Sequence, residues 1–133
     1  MPDYHLDTDT CAAALKGHRE VQSRCLQYLG RLRVSSIVVG ELYTAVYRSR
    51  RTEQNLSALC DFLSNIGIVP FDEQCAKVYG RICADLLNRG LPTGEKDALI
   101  AAVAQAHGAV LVTHNTRHYS NIAGLDIDDW VDS

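Results

Sequence analysis

Four side chains stand where their types and spacing could do chemistry together: Asp7, Glu41, Asp97 and Asn115. Each follows or closes a short apolar or helix-opening stretch, as in Leu6-Asp7, Val38-Val39-Gly40-Glu41, Gly94-Glu95-Lys96-Asp97 and Val112-Thr113-His114-Asn115. Three carboxylates gathered in a partly desolvated cleft repel one another and, unless compensated, take up protons. A divalent cation removes that penalty. Oxygen donors without a Cys or His partner suit Mg²⁺, with Mn²⁺ as a substitute, because these ions keep waters and use a few carboxylates together with substrate phosphates. Such an ion lowers the pKa of a bound water and stabilises charge on a phosphoryl oxygen, and two of them clamp an in-line displacement. The expected chemistry is phosphodiester cleavage.

The elements that must position these groups follow from periodicity. Tyr4 to Asp7 predicts a short first strand, and Thr10 to Leu15 and Glu20 to Leu29 predict helices, the second presenting Val21, Cys25, Leu26 and Leu29 and closed by Gly30. The β-branched stretch Val34 to Val39 predicts a strand, after which Leu42, Tyr43, Val46 and Tyr47 fall at helical spacing, so Glu41 is expected where strand turns into helix. A helix from about Glu53 to Leu63, with Leu56, Leu59, Cys60 and Leu63 inward, leads to a strand from Ile66 to Val69. Asp72 can cap a helix carrying Cys75, Val78, Tyr79, Ile82, Cys83, Leu86 and Leu87, which stops at Gly90 with Pro92 just beyond. Glu95 to His107 predicts a small-residue helix with Asp97 in its first turn, Gly108 ends it, and Ala109 to Thr113 predicts an apolar strand. The segment ending Gly-Leu-Asp-Ile-Asp-Asp-Trp has room for one short edge strand. Alternating strands and helices imply a parallel sheet covered on both faces, whose ligands bind at the carboxyl ends of the strands. Asp7, Glu41, Asp97 and Asn115 are thereby expected at one end of that sheet.

At these residues the chain resembles the PIN-domain ribonucleases, and in particular the VapC-type toxins of bacterial toxin–antitoxin pairs. Leu6-Asp7-Thr8-Asp9 resembles the strand and first catalytic aspartate of that family, and Ser35-Ser36-Ile37-Val38-Val39-Gly40-Glu41-Leu42 its glutamate segment. Gly94-Glu95-Lys96-Asp97-Ala98-Leu99-Ile100-Ala101-Ala102 is similar to the stretch with the third acid, and Leu111-Val112-Thr113-His114-Asn115 to the segment ending in a fourth acidic or amide residue. Phe71-Asp72-Glu73, Val78-Tyr79-Gly80 and Leu125 to Trp130 are also similar to these toxins. The resemblance implies one three-layer α/β/α PIN-like domain over residues 1–133, with a central, mostly parallel sheet of four or five short strands. It further implies a Mg²⁺-dependent endoribonuclease in which Asp7, Glu41 and Asp97 hold the metal, Asn115 completes the site and water is the nucleophile. The implied substrate is a structured RNA such as transfer RNA, and the implied partners are a cognate antitoxin that occupies the cleft and a second copy of the chain. Asn115 departs from the aspartate of many PIN domains: an amide offers an oxygen but no charge.

Several residues have plainer readings. Asp9 or Thr10 can cap the first helix, Glu41 and Asp97 can serve as first-turn acids favoured by the helix dipole, and Asn115 can be a turn residue. Arg48, Arg50 and Arg51, with Arg117, can contact RNA phosphates from the rim, although a helix C-terminus accounts for the first three equally well. Lys96 can pair with a phosphate or soften the acidic cluster. His114 and His118 need no ligand role, His5 is expected as a satisfied core or edge residue, and Tyr43 with Tyr47 as packing. Asp7-Thr8-Asp9-Thr10 also matches the signature of haloacid-dehalogenase-like phosphatases, with Asp7 as nucleophile and Asp128-Asp129 as a late acidic pair. A PIN-like fold kept as a non-catalytic binding module is the third possibility.

Composition bounds all of this. At 133 residues, 47% hydrophobic and 22% charged, the chain has the makeup of an ordinary globular protein rather than a disordered or fibrous one. A net charge of −3 excludes polyanion binding by bulk attraction, so any RNA contact must be local. No apolar run reaches transmembrane length, and the opening Met-Pro-Asp-Tyr-His lacks signal-peptide regions, so a cytoplasmic protein without membrane contact is expected. Five cysteines, without Cys-x-x-Cys or finger spacing, are expected as reduced, small hydrophobes, with a reactive role left open for Cys11 beside Asp7 and Asp9.

Overall fold

Short apolar segments one residue away from a helix cap can do little except pair with one another, and here they pair in parallel. In the computed structural model, which describes residues 1–91 and 93–132, the chain runs β1 (Tyr4–Leu6), α1 (Thr8–Leu15), α2 (Arg19–Gln27), β2 (Leu32–Ser35), α3 (Ser36–Tyr47) and α4 (Thr52–Leu63). It continues as β3 (Gly67–Val69), α5 (Glu73–Asn88), α6 (Glu95–Ala106), β4 (Val110–Val112), α7 (Thr116–Tyr119) and β5 (Asp126–Asp128). The strands form one all-parallel sheet in the order β3-β2-β1-β4-β5, with His5 opposite both Arg33 and Leu111. Helices flank it in an α/β/α arrangement: α1 packs with α2, α3 and α4, and α5 packs with α6. The chain builds outward from β1 to β3 and then crosses back to lay β4 on the other side of β1. That reversal places the switch point between β1 and β4, where open parallel sheets bind their ligands.

The core is made by Leu6, Leu32, Val34, Leu111 and Val112 from the strands, with Val21, Val38, Leu59, Val78 and Ile82 from the helices. On α6, Ala98, Ala101, Ala102 and Ala104 are buried, and side chains this small let the helix lie close to its neighbours. At the far edge, Trp130 is fully buried, stacks on Tyr28 at 5.7 Å and donates from Nε1 to Asp128 Oδ2 at 3.1 Å. Among the described residues no helix is long and apolar enough to cross a membrane. All five cysteines are free thiols, and Cys11 is wholly buried with its thiol pushed well above its usual pKa, first by burial and then by Asp7, so it is no nucleophile.

Three features differ from the sequence expectation. The strand expected over Val34–Val39 ends at Ser35, whose hydroxyl accepts the Val38 N–H at 3.2 Å and so starts α3 about one turn earlier than β-branching suggests. Glu41 therefore lies inside α3 and not at the strand-to-helix junction. Leu26 of α2 is 74% exposed, Leu29 falls beyond the end of that helix, and Cys60 and Leu87 face outward on α4 and α5. Gly90 and Gly108 directly follow the C-caps of α5 and α6 at positive φ as expected, whereas Gly30, also at positive φ, lies two residues past Tyr28, the C-cap of α2; the late edge strand is β5. The short helix α7 was not expected, and Pro92 lies outside the described residues.

His5 is not the satisfied residue that was expected. It is 3% exposed, its Nδ1 has no hydrogen-bond partner among the described residues, and the His107 ring stands 5.8 Å away. Burial, then the neighbouring His107, lowers its pKa to about 4. Near neutral pH the ring is uncharged whether the chain is folded or not. As pH falls below the ordinary value of 6.5 toward about 4, the unfolded chain binds a proton that the folded one refuses, and stability declines. His5→Leu should therefore flatten the loss of denaturation midpoint between neutral and mildly acidic pH; an unchanged loss would place its origin elsewhere.

Candidate active site

The carboxyl ends of β1 and β4, the starts of α1 and α6 and the middle of α3 supply the polar groups. Asp7, directly after β1, is the N-cap of α1: its Oδ1 accepts the Thr10 N–H at 2.8 Å, and its own N–H donates to Val112 O at 3.0 Å. Thr10 in turn donates its hydroxyl to Val112 O at 3.1 Å, which pins α1 to β4. The Asp7 side chain is buried, and burial raises its pKa against the lowering pull of hydrogen bonds from Thr113 and Thr10, with the charge of Asp9 raising it further. A carboxylate so placed stays ionised most readily beside a positive charge.

Glu41 reaches the same end from α3. Its Oε1 accepts the Thr8 hydroxyl at 2.6 Å, and its Oε2 lies 3.8 Å from Lys96 Nζ, so the lysine adjoining Asp97 pairs with another acid. Asp97, in the first turn of α6, is gripped at both oxygens: Oδ1 accepts the Tyr119 hydroxyl at 3.1 Å and Oδ2 lies 3.2 Å from His118 Nδ1. Gly94 leaves room for this carboxylate, since a Cβ there would stand 3.2 Å from Asp97 Oδ2. Asn115 follows β4, its N–H donating to Thr113 Oγ1 at 3.0 Å and its Nδ2 to Asp9 Oδ2.

The Tyr119 phenol is driven far above its usual pKa first by burial and then by the charges of Asp97, Asp7 and, more weakly, Glu41. The Thr8 hydroxyl next to Asp7 and the Lys96 ammonium next to Asp97 both reach Glu41, which sets the three segments side by side. Their oxygens remain more widely spread than a single ligand shell. Among the described residues, the His, Cys, Asp or Glu trio with donor atoms all within 4.8 Å is His114, Asp129 and Asp132. There, Asp129 accepts from His114 and from the N–H groups of Val131 and Asp132, which accounts for the closeness as a turn. Around these acids, Thr8 and Lys96 engage the oxygens of Glu41, and Tyr119 and His118 those of Asp97.

Beside Asp97 opens a cleft of about 370 Å³ lined by Thr93, Gly94, Arg117, His118 and Asn121. Arg117 borders this cleft, whereas Arg48, Arg50 and Arg51 lie in the exposed connection between α3 and α4, where Arg48 caps the C-terminus of α3. His118 and Tyr119 were not expected to touch an acid. The one signal in the sequence was their place three and four residues past Asn115, on what proves to be one helical turn.

Comparison with known proteins agrees with the geometry. The PIN domain family model matches residues 4–125. Ribonuclease VapC2 of Rickettsia felis is 37% identical over 96% of this chain and 97% of its own, and the tRNA(fMet)-specific endonuclease VapC of Salmonella typhimurium is 35% identical over 98% and 99%. Among solved structures, the DNA-bound VapBC of Salmonella typhimurium superposes with a TM-score of 0.93 at 34% identity, covering 98% of this chain and 99% of that one. The phosphatase-like signature gives way to this family match, and its Asp7 is a buried helix cap.

Tyr119→Phe keeps the ring and deletes the donor to Asp97. It should lower stability at neutral pH by about 1.5 to 3 kcal/mol, the typical worth of a hydrogen bond to a charged group, as read by urea denaturation. An unchanged midpoint would show that the hydroxyl does not hold Asp97.

Proposed function

From a chain that belongs to the PIN-domain family, in its VapC ribonuclease branch, we propose a divalent-metal-dependent endoribonuclease that serves as the toxin of a toxin–antitoxin pair. Asp7, Glu41 and Asp97 hold Mg²⁺, or Mn²⁺ in its place, and Asn115 completes the site with its amide oxygen. The donor set fits such an ion: the groups are oxygens, one is buried, and each now leans on a donor or cation of the chain itself. When bound, the ion supplies Lewis acidity that activates water as the nucleophile and offsets negative charge growing on the phosphoryl oxygens.

The chain's own groups do the rest. Capping of α1 fixes Asp7, the Thr8 hydroxyl orients Glu41, and Tyr119 with His118 sets the plane of the Asp97 carboxylate. Lys96 is 73% exposed and Arg117 lines the cleft, so both can meet phosphates of an RNA laid across the rim of an otherwise acidic site. The proposed substrate is transfer RNA, supported by the name of the Salmonella relative, and the proposed partner is an antitoxin, supported by the VapBC complexes among the structural neighbours. A homodimer in the cytoplasm completes the proposal, with the exposed Tyr47, stacked on Tyr43 at 5.9 Å along α3, available to a second copy.

The meeting of the Thr8 hydroxyl, beside Asp7, and the Lys96 ammonium, beside Asp97, on the one carboxylate of Glu41 carries this reading. Asp97→Asn should abolish metal-dependent cleavage of a transfer RNA panel, a loss of about 100-fold or more for several kcal/mol of transition-state stabilisation, while circular dichroism stays unchanged. Full residual activity would remove Asp97 from the mechanism.

A further inference from the structure

The fourth motif ends in a neutral amide, yet the structure puts a carboxylate beside it. Asn115 Nδ2 donates to Asp9 Oδ2 at 2.5 Å, across 106 positions of sequence. A carboxylate only accepts, so this contact fixes the amide: its N–H group faces Asp9 and its carbonyl oxygen is left for another partner. Thr113 holds the backbone of Asn115 in turn. Asp9 lies two residues past Asp7 in the first turn of α1. Capping does not explain the residue, because Asp7 is the cap. A favourable dipole would account for an acid in that turn, but not for its tie to the loop after β4.

We propose that Asp9 furnishes the fourth carboxylate of the cation site, and that Asn115 is the positioning residue that holds it there. The inference rests on the reading of Asp7, Glu41 and Asp97 as a cation site. The negative charge missing from the fourth motif is supplied from the opposite side of the β1–β4 switch point, by the first helix instead of the loop after β4. Charge count is a main determinant of affinity for hard divalent ions, so Asp9 sets how tightly the site takes them.

The experiment is a Mn²⁺ titration of the full chain by calorimetry, with thermal denaturation of each metal-free variant alongside. Asp9→Asn should weaken Mn²⁺ binding by about tenfold or more, in the range of supporting-shell substitutions. The exchange Asp9→Asn with Asn115→Asp keeps both the hydrogen bond and the charge, and should restore binding to within about threefold of the parent. Asp9→Asn binding Mn²⁺ like the parent would overturn the proposal. So would an exchange variant that recovers thermal stability but not affinity, since Asp9 would then only fasten α1 to β4. Asp97→Asn separates the two levels: if it too binds Mn²⁺ like the parent, the cation site itself falls, whereas a loss confined to Asp97→Asn leaves that site standing without Asp9.

Discussion

Like charges that share one edge of a sheet must be compensated, and the polar architecture of this protein is organised around that need. Two unit charges about 4 Å apart cost on the order of 4 kcal/mol at the effective dielectric of a protein surface. Asp7, Asp9, Glu41 and Asp97 arrive at the carboxyl end of a parallel sheet from α1, α3 and α6. The compensation is distributed. The N-terminus of α1 receives Asp7, Thr8 and Lys96 receive Glu41, Tyr119 and His118 receive Asp97, and Asn115 receives Asp9. Each donor offsets part of the charge it meets, and none neutralises the set.

The apolar framework is what keeps the acids from drifting apart. Asp7 is joined through its own N–H to Val112 and through Thr10 to the same carbonyl, so the start of α1 cannot move without β4. Alanines on α6 bring Asp97 in close over the sheet, and the buried ring of Tyr119 anchors the hydroxyl against which that carboxylate rests. On the opposite flank, Trp130 stacked against Tyr28, with Asp128 reached by both Trp130 and Arg24, ties the last strand to α2.

How much of this was legible in the sequence depended on the range of the interaction involved. Asp72 and Gly90 bound α5 by local rules of capping, and the all-parallel sheet followed from the alternation of elements. Ile37, Val38 and Val39 misled, because β-branched residues favour strands while one hydroxyl, that of Ser35, starts a helix there. The contacts of Tyr119 and His118 with Asp97 span more than twenty positions, and that of Asn115 with Asp9 spans 106, so no periodicity or spacing encodes them. His5 was misjudged for a related reason: a buried ring is satisfied or not according to what the facing helix brings, and α6 brings another histidine.

Asp7, Glu41 and Asp97 are proposed to share an ion, and locating it in a crystal tests this directly. Anomalous difference density from a crystal of the full chain soaked in Mn²⁺ should show a peak enclosed by the carboxylates of Asp7, Glu41 and Asp97, with Lys96 withdrawn from Glu41. A crystal that takes up Mn²⁺ only at His114, Asp129 and Asp132, leaving the ion pair between Lys96 and Glu41 in place, would contradict it.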